Sequence, residues 1–517
     1  MNYVGTARPI HDAKGKATGY TKYAGDLSLP NMAYLCMLHS KIPHGYVKAV
    51  HAEKALALPG VYGVYHCLNT SERKYNRYRS SFDQAYLANE ERAFNQYVRF
   101  VGDKIGAVAA CDQETAEKAA RLVEVEYEEL PFSIGFDDTF AGKNCLDGET
   151  PVRDEYTLEV GKKQESTEGL IEVCSTMELP RLHHATMETH ACIADYDPYI
   201  DMLTVYCPNQ AVHGIRTVLA DFLEMPESHV RVVKATMGGS FGAKQEWFLE
   251  PVTALVAKKL CRPVKLVYSR GEAMTDTIVR GAMRMSTRGY YTPDGEMKKI
   301  YCDVTLDAGA YIGNAGDYVR ALAGKPTRCY RIPYMHYHGQ VISSNSPVSG
   351  AFRSWSAAEE ALMMERQLDA AAEKLGMDRL AIRLKNVARS GEEDKKLHLS
   401  LEDIRIGDAI TLGSEKFGWD KLKAEDAAFN ASQQRYRRGV GIGIGGHGNT
   451  YFPRFNDYGA GSISLNADGS MQANFTLHDH GCGTVTAMRM IAAEVLKVPE
   501  DKIYMTEGDT AVTPIDY

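Results

Sequence analysis

The sequence predicts an α+β protein with mixed α/β units, folded as two or three domains. Its 517 residues are enough for more than one sizeable core. A strand–helix–strand pattern covers residues 101–127, and two paired-strand patterns, each with a later helix, follow along the chain. The paired strands turn at Pro293-Asp294-Gly295 and at Ala467-Asp468-Gly469. Strands and helices within each region predict packed layers of sheet and helix.

The composition is that of a soluble globular protein, with 24% charged and 44% hydrophobic residues. A net charge of -8 argues against a broad nucleic-acid-binding surface. The N-terminus lacks the apolar stretch of a secretory signal, and no apolar run could span a bilayer. The 11 cysteines are scattered singly, which argues against a disulfide framework, a zinc ribbon or an iron–sulfur cluster. We therefore expect free thiols and a cytoplasmic location.

Residues 1–135 predict one α/β unit. Within it we expect a strand at 101–110, a helix capped by Asp112 and reaching residue 122, and a strand at 123–127. Residues 136–168 are rich in Asp, Gly, Lys and Glu and lose apolar periodicity. This change predicts a surface linker.

Residues 169–400 predict a second region and residues 410–517 a third, with a charged linker or surface excursion at 387–410. The second region has an amphipathic helix that ends before Pro226 and a helix of residues 354–375 with Gly376 as its C-cap. The other expected elements are strands at 203–206, 229–236 and 264–268, a helix at 245–260, paired strands at 283–311 and, in the third region, a helix at 484–496. The last region lacks a closing helix, so we expect it to be incomplete.

His183, His184 and His190 cluster in the sequence around Glu188. A metal site is conceivable, because imidazoles and a carboxylate suit zinc. The spacing, however, fits no helical pair of histidines at i and i+4, and no fourth ligand is evident. We therefore favour histidines that are hydrogen-bonded within the protein and bind no metal.

A glycine-rich loop, Met237-Gly-Gly-Ser-Phe-Gly-Ala-Lys244, lies between a predicted strand and a predicted helix. Glycine lets backbone N–H groups approach a ligand, and the N-terminus of the helix would point to the same place. A tight turn that needs glycine only for its shape is an equally open interpretation. The loop is not a Walker phosphate loop, because Gln245 stands where Ser or Thr would hold magnesium.

A second glycine-rich stretch, Gly441-x-Gly443-x-x-Gly446, formally matches the dinucleotide-binding fingerprint. A basic segment precedes it, and the residues that follow, up to Pro453, cannot start a helix. We expect a strand packed closely against its neighbours rather than a nucleotide-binding loop.

Five motifs occur in an order that points to one family. Gln210 precedes the amphipathic helix, the loop of residues 237–244 follows, and a helix-ending motif at residues 375–386 comes last. Between them lie two further motifs, Arg320-Ala-Leu with Cys329-Tyr-Arg-Ile-Pro333, and Gly350-Ala-Phe-Arg353. Together they resemble the molybdenum-cofactor subunit of the xanthine dehydrogenase and aldehyde oxidase family, and the N-terminal unit resembles that family's α/β hammerhead domain. The resemblance covers essentially the whole chain.

The resemblance implies a hammerhead domain at 1–135 and two molybdenum-cofactor-binding domains at 169–400 and 410–517. It also implies a hydroxylase that oxidises a carbon of an aldehyde or aromatic heterocycle with oxygen from water, and we expect a purine-like nitrogen heterocycle. The expected cofactor is molybdopterin, with or without an attached nucleotide. Electrons would leave through [2Fe-2S] clusters and FAD on partner subunits, because this chain has no grouped cysteines.

The resemblance assigns site residues one by one. Gln210 and Phe241 would face the molybdenum ligands, and Arg353 would hold the cofactor through its main chain. Arg320 would hydrogen-bond the substrate and stabilise developing charge. The remaining assignments are Gly239, Gly242 and Cys482 beside the cofactor, and Gln245, Trp355, Tyr451 and Phe452 beside the substrate. Trp355 and Tyr451 would sandwich a flat ring, although plain core packing is an equal alternative for both.

Several residues depart from the family pattern. Gln245 replaces the glutamate of xanthine-oxidising members, and it can donate and accept a hydrogen bond but cannot act as an acid. Gly350 occupies the place of the copper-binding cysteine of carbon monoxide dehydrogenases, which argues against that branch. The other replacements are Ser354, Ser356 and Glu359 for Gly, Gly and Gln, and Cys482 for a glutamine.

The family's general base is a glutamate in a Gly-Glu-Pro-like motif, which we expect beyond Tyr517. No catalytic residue is therefore expected within the chain, and a further chain carrying the remaining part is one possible partner. A truncated, non-catalytic protein that only binds partners is the alternative from another functional class, and an aldehyde is the alternative substrate.

Overall fold

The computed structural model describes residues 3–78, 89–142, 146, 150–163, 166–432, 435–447, 459–477 and 479–515. Two large mixed sheets covered by helices account for most of this part. None of its helices combines the length and apolar character needed to cross a membrane. Its α-helices are α1 Ala13–Thr18, α2 Glu53–Leu56, α3 Gln113–Ala120, α4 Gly135–Phe140, α5 Val212–Leu223, α6 Glu250–Leu260, α7 Arg270–Asp276, α8 Ala315–Ala323, α9 Pro326–Cys329, α10 Ala357–Leu375, α11 Arg379–Asn386, α12 Ile406–Phe417, α13 Trp419–Ser432 and α14 Thr484–Leu496.

The strands of the described residues form two large sheets and four small ones. They are β1 Ala33–His39, β2 Gly45–His51, β3 Val61–His66, β4 Lys74–Tyr75, β5 Glu91–Arg92, β6 Tyr97–Val98, β7 Lys104–Ala110, β8 Glu124–Glu129, β9 Val152–Gly161, β10 Ile171–Leu179, β11 Ala191–Asp197, β12 Met202–Cys207, β13 Val230–Lys234, β14 Val264–Val267, β15 Ala282–Tyr291, β16 Met297–Gly309, β17 Tyr334–Ser343, β18 Glu393–Asp394, β19 Leu399–Ser400, β20 Gly461–Leu465, β21 Met471–Phe475 and β22 Ile503–Glu507.

A seven-stranded sheet joins the first and second regions of the chain. Its order is β13-β12-β11-β14-β1-β7-β3, and β1 pairs in parallel with β14 across the boundary predicted at residue 135. The predicted strand–helix–strand of the first region is confirmed as β7, α3 and β8, and the Asp112 side chain caps α3 by accepting from the Thr115 N–H. The first region is therefore continuous with the second through one sheet.

A five-stranded sheet, in the order β10-β15-β16-β17-β9, forms the other half of the second region. Its β15–β16 hairpin turns at the predicted residues, where the Thr292 N–H donates to the Glu296 carbonyl. The long helix α10 packs on β10 and β15, and α8 packs on β17 and β9. Gly376 ends α10 in a left-handed conformation with φ 65°, as predicted.

The third region contains the predicted hairpin and helix. Strands β20 and β21 pair antiparallel around Ala467-Asp468-Gly469, and β22 adds in parallel to β21. Helix α14 packs against β22. The residues from Ile406 to Ser432, which the sequence did not identify as helical, form α12 and α13.

Three predicted elements need correction. The linker at 136–168 contains the ten-residue strand β9, which pairs along its length with β17. The helix predicted from residue 245 begins at Glu250, because Pro251 fits only a first turn and Trp247 makes tertiary hydrogen bonds to Asn76 and Arg77. Residues 439–447 form no strand, although the close approach expected there is real, since a Cβ on Gly446 would lie 2.6 Å from Cys329 Sγ.

Candidate functional site

Two backbone segments meet at the candidate site, the loop of residues 237–244 after β13 and the turn of residues 350–353 before α10. The Arg353 N–H donates to the Phe241 carbonyl at 2.7 Å. Gly242 has φ 103°, and a Cβ there would lie 2.6 Å from the Ala351 carbonyl oxygen. The glycine is therefore required both for its conformation and for the close approach of the two segments.

Gln210 lies against the same loop. Its N–H donates to the Lys244 carbonyl at 2.8 Å, and its side-chain oxygen accepts from Ser240 Oγ at 2.5 Å. No hydrogen bond within the described residues takes up the side-chain NH2 of Gln210. The structure thus brings together Gln210, Phe241, Gly242 and Arg353, which the sequence had linked only by motif order.

Phe241 projects from this loop. The residue has φ 55° and its side chain is 45% exposed, which is unusual for a phenylalanine. Gly239 has φ 96°, a conformation that favours glycine. Gly239 and Phe241 therefore both have backbone conformations that favour glycine, and the Phe241 ring faces outward.

Buried polar groups brace the loop from behind. Lys244 pairs with Glu188 at 2.5 Å, and the same Glu188 carboxylate oxygen accepts from the Gly238 N–H at 2.7 Å. His190 Nε2 lies 3.0 Å from the Ala243 carbonyl, and His184 Nε2 lies 2.8 Å from the Ala351 carbonyl. These contacts fix the loop and the turn to one rigid support.

The two buried histidines are held neutral. Burial lowers the pKa of His190 to about 3 and that of His184 to about 4. Within the described part of the chain, no group of three or more His, Cys, Asp or Glu side chains could hold a metal ion. The predicted hydrogen bonding within the protein is confirmed for one nitrogen of each ring, Nε2.

At Arg353 the side chain is free to bind a ligand, whereas the N–H and the carbonyl of the main chain already have partners. Its N–H is used by Phe241, and its carbonyl accepts from Arg280 Nη2 at 2.8 Å. The guanidinium is exposed, and no described residue accepts a hydrogen bond from it. The free group at this position is therefore the cation, and cofactor binding through the Arg353 main chain stays a prediction.

Arg280 and Glu359 belong to the site but were not identified as partners from the sequence. The Arg280 guanidinium lies 4.2 Å from the centre of the Phe352 ring and pairs with the buried Glu359 carboxylate. Tyr318 Oη also donates to Glu359, at 2.9 Å. Glu359 thus neutralises the cation next to Arg353. Nothing in the local sequence links residues 280 and 359, so only the fold could reveal the pair.

Trp355 is half-buried beside two tyrosines. Its ring centre lies 5.3 Å from that of Tyr318 and 6.2 Å from that of Tyr78. Such tilted contacts leave part of an indole face available for a flat partner. Core packing and a role in stacking are therefore both compatible with its position.

Arg320 lies on the other side of α8. It makes a two-point ion pair with Asp154 of β9, with Nη2 2.8 Å from Oδ1, and its charge sits over the Tyr156 ring. Tyr318, two residues earlier, faces Trp355, and residues two apart on a helix point to different sides. The structure therefore places Arg320 in an ion pair that joins α8 to β9.

The remaining predicted residues are only partly accounted for. Gln245 is half-buried, and no described residue hydrogen-bonds its side chain. Cys482 is exposed at the start of α14, with Sγ 2.9 Å from Thr484 Oγ1. Tyr451 and Phe452 lie outside the described residues.

The available groups at the site are hydrogen-bond donors. They are the amides of Gln210 and Gln245 and the guanidinium of Arg353, all close to the segments that meet at Phe241 and Gly242. Donors of this kind suit a ligand that is anionic and rich in oxygen. The charge of the neighbouring Arg280 is already neutralised, so Arg353 supplies the positive charge for such a ligand.

Family models match nearly the whole chain. The aldehyde oxidase and xanthine dehydrogenase a/b hammerhead domain matches residues 18–131, and models of the molybdopterin cofactor-binding domain match residues 149–387 and 412–517. The quinoline 2-oxidoreductase of Pseudomonas putida 86 has the same fold, with a TM-score of 0.89 over 98% of this chain and 67% of that chain, at 22% identity.

Two curated relatives give the same result. The xanthine dehydrogenase molybdenum-binding subunit of Escherichia coli is 29% identical over 98% of this chain and 68% of its own length. A Bacillus subtilis protein, named as a probable subunit of xanthine dehydrogenase, is 32% identical over 99% of this chain and 67% of its own length. The chain therefore belongs to the molybdopterin-binding subunits of the xanthine dehydrogenase and aldehyde oxidase family, which are molybdenum oxidoreductases.

Proposed function

We propose that this chain is the molybdenum-binding subunit of a hydroxylase that oxidises a carbon of a purine-like nitrogen heterocycle, with water as the source of oxygen. The observation that carries the proposal is the set of unpartnered donors around Phe241, formed by Gln210, Gln245 and Arg353. An anionic molybdopterin would find there two amides and one cation in a braced site. When bound, this cofactor supplies the two-electron oxidation chemistry.

The residues of this chain would bind and orient. Gln210 and Arg353 would hold the cofactor, with the Phe241 ring against it, because their donors are free and their supports are rigid. Gln245 would hydrogen-bond a heterocycle edge, since an amide offers a donor and an acceptor together. Trp355 would stack on the flat face of the ring.

The assembly would contain further subunits. Both relatives are named as subunits of xanthine dehydrogenases, which supports a multi-subunit enzyme. We include an iron–sulfur subunit and an FAD subunit in the proposal, with the complex located in the cytoplasm.

An aldehyde is the second candidate substrate. The cation that we expect to bind the substrate, Arg320, is paired with Asp154. An aldehyde does not need a cation in its pocket, so the pairing keeps this candidate open.

Metal content tests the cofactor assignment first. The chain is co-expressed with its partner subunits, and molybdenum and pterin are measured in the purified complex. We expect stoichiometric molybdenum, with a marked loss in Gln210→Leu and no loss in the control Gln113→Leu, whose half-buried side chain donates to Glu117 of the same helix. A complex that contains every partner but no molybdenum would instead support a non-catalytic, partner-binding protein.

Turnover of xanthine and of an aromatic aldehyde then tests the substrate. Gln245→Leu removes one hydrogen bond to the ring edge, so we expect kcat/KM for xanthine to fall about tenfold and that for the aldehyde to change little. Arg320→Met breaks the ion pair with Asp154 and should lower both activities alike. If Arg320→Met lowered kcat/KM for xanthine alone, Arg320 would belong to the substrate pocket. If Gln245→Leu lowered kcat/KM equally for both substrates, Gln245 would not belong to it.

A further inference from the structure

The turn before α10 contains three consecutive residues in the left-handed region of backbone conformation. They are Ser354 with φ 80°, Trp355 with φ 39° and Ser356 with φ 65°. For residues that carry a Cβ this conformation is unfavourable, and a run of them persists only where the surrounding structure enforces it. The run lies directly between Arg353 and the first turn of α10.

Lys325 contacts this run from the connection between α8 and α9. Its ammonium donates to the Trp355 carbonyl and, at 2.7 Å, to Ser356 Oγ. The side chain of Lys325 therefore holds two adjacent residues of the strained run. Arg280 Nη2 donates to the carbonyl of the preceding residue, Arg353, at 2.8 Å.

The burial of Lys325 makes its hydrogen bonds important. The residue is 6% exposed, and burial lowers the pKa of its ammonium to about 7. Placing an ammonium group in such a site is costly unless its hydrogen bonds compensate, whereas an apolar side chain of similar size would fill the space without that cost. The two acceptors on the strained run are the hydrogen-bond partners that the structure gives to this group.

We propose that Lys325 is a positioning residue that holds residues 354–356 in the left-handed conformation and thereby sets the directions of Arg353 and Trp355. The backbone of the turn leaves Arg353 pointing outward and Trp355 against Tyr318. Without these two hydrogen bonds, the run relaxes towards the right-handed or extended region and both side chains turn away. The functional part of this inference rests on the proposed roles of Arg353 and Trp355, while the conformational part does not.

The test measures how accessible Trp355 is to acrylamide in the full chain, without cofactor. The other two tryptophans, Trp247 and Trp419, are 1% and 6% exposed, so a change in quenching reports on Trp355. We expect Lys325→Met to increase the quenching constant and to lower the Tm by about 2–4 °C. Lys265→Met is the matched control, because Lys265 of β14 also donates to two carbonyls, those of Gly25 and Leu27, and neither belongs to the turn of residues 354–356.

A second substitution separates conformational strain from simple loss of packing. Ser354→Gly removes the cost of a positive φ at a position that Lys325 does not contact, so the effect of Lys325→Met on quenching should shrink in this background. If Lys325→Met does not fold, Lys325→Gln, which lacks the terminal amino group but stays polar, provides a milder comparison with a smaller expected increase. Unchanged quenching, or an equal increase with and without Ser354→Gly, would overturn the proposal. Because no molybdenum is involved, this outcome is independent of any failure of the proposed function.

Discussion

At the scale of single residues, the site depends on how closely two backbones approach each other. Gly242 brings the loop against Ala351, and Gly350 lets the turn lie against the carboxyl of Glu246. A Cβ on Gly350 would overlap the Glu246 carboxyl and lie 2.8 Å from the Ile278 side chain. The space that any side chain at position 350 would need is therefore already filled, which adds a steric reason to the argument against a copper-binding cysteine there.

Gly350→Ala tests this packing. Because Glu246 and Ile278 are both buried, they cannot move aside freely, and we expect a loss of about 1–3 kcal/mol in the free energy of unfolding. The measurement is urea denaturation of the chain. Gly413→Ala, in α12 with nothing within 4 Å of the new Cβ, is the control and should be neutral or slightly stabilising. Equal stabilities for the two variants would contradict the steric argument.

Motif order predicted some site residues and not others. Gln210, Phe241 and Arg353 were identified because each sits in a short recognisable motif, and the structure brings them together. Arg280 and Lys325 carry no local signal, since their partners lie 73 and 30 residues away along the chain. Their importance follows from how α8, α10 and the five-stranded sheet pack, which the sequence pattern does not specify.

At the scale of elements, turn chemistry was the most reliable signal. Both hairpins and the ends of α3 and α10 were predicted from Asp-Gly turns, an Asp cap and a C-terminal glycine. Strand β9 was missed because it is an edge strand with mostly polar residues and one buried side chain, Val160. Helix α13 was missed because Trp419 is the only buried residue among its 14, so it has no apolar stripe to recognise.

The stability of the site should also depend on pH through Glu246, whose carboxyl links the turn of residues 350–353 to Asn314. Its Oε1 accepts from Asn314 Nδ2 at 2.9 Å, and burial raises the pKa of this carboxyl to about 8. Because folding raises this pKa, protonation of Glu246 stabilises the folded state. Its contribution to the free energy of unfolding is complete below the unfolded pKa near 4.5 and is lost as the pH rises through about 8. The protonated carboxyl is thus the form that suits the folded site.

Glu246→Gln should remove this pH dependence, because the amide keeps the shape and the hydrogen bond to Asn314 without titrating. Between about pH 5 and 8 we expect the variant to gain stability over the wild type by up to about 1.4 kcal/mol per pH unit. Glu250, whose pKa burial raises to about 7, is present in both proteins and contributes equally. The measurement is urea denaturation across this pH range, and parallel profiles would show that Glu246 titrates normally.

At the scale of the whole molecule, the N-terminal unit and the first cofactor-binding region act as one folded body. They share the seven-stranded sheet, in which β1 of the former pairs with β14 of the latter. A buried ionic network crosses the same junction. Lys104 of β7 lies 3.4 Å from Glu91 and 3.5 Å from Asp276 of α7, and Arg77 pairs with Glu91. We therefore expect the two family-model regions to unfold together, although the sequence predicts a boundary between them.

Lys104→Met tests this coupling, because it removes the ammonium between two buried carboxylates, leaving Glu91 with Arg77 and Asp276 with His39 and Tyr268. Removing one partner of a buried ionic group typically costs about 3–5 kcal/mol, and we expect a loss of that order. All three tryptophans lie after residue 131, so fluorescence reports on the cofactor-binding part, while hydrogen exchange in β7 reports on the N-terminal unit. Both probes should show one shared transition that moves together in the variant.

Lys54→Met, which breaks the exposed pair with Glu124, should leave the midpoint unchanged. If Lys104→Met loosened β7 and left the fluorescence transition in place, the shared sheet would not couple the two parts, and the predicted boundary would mark a true domain border.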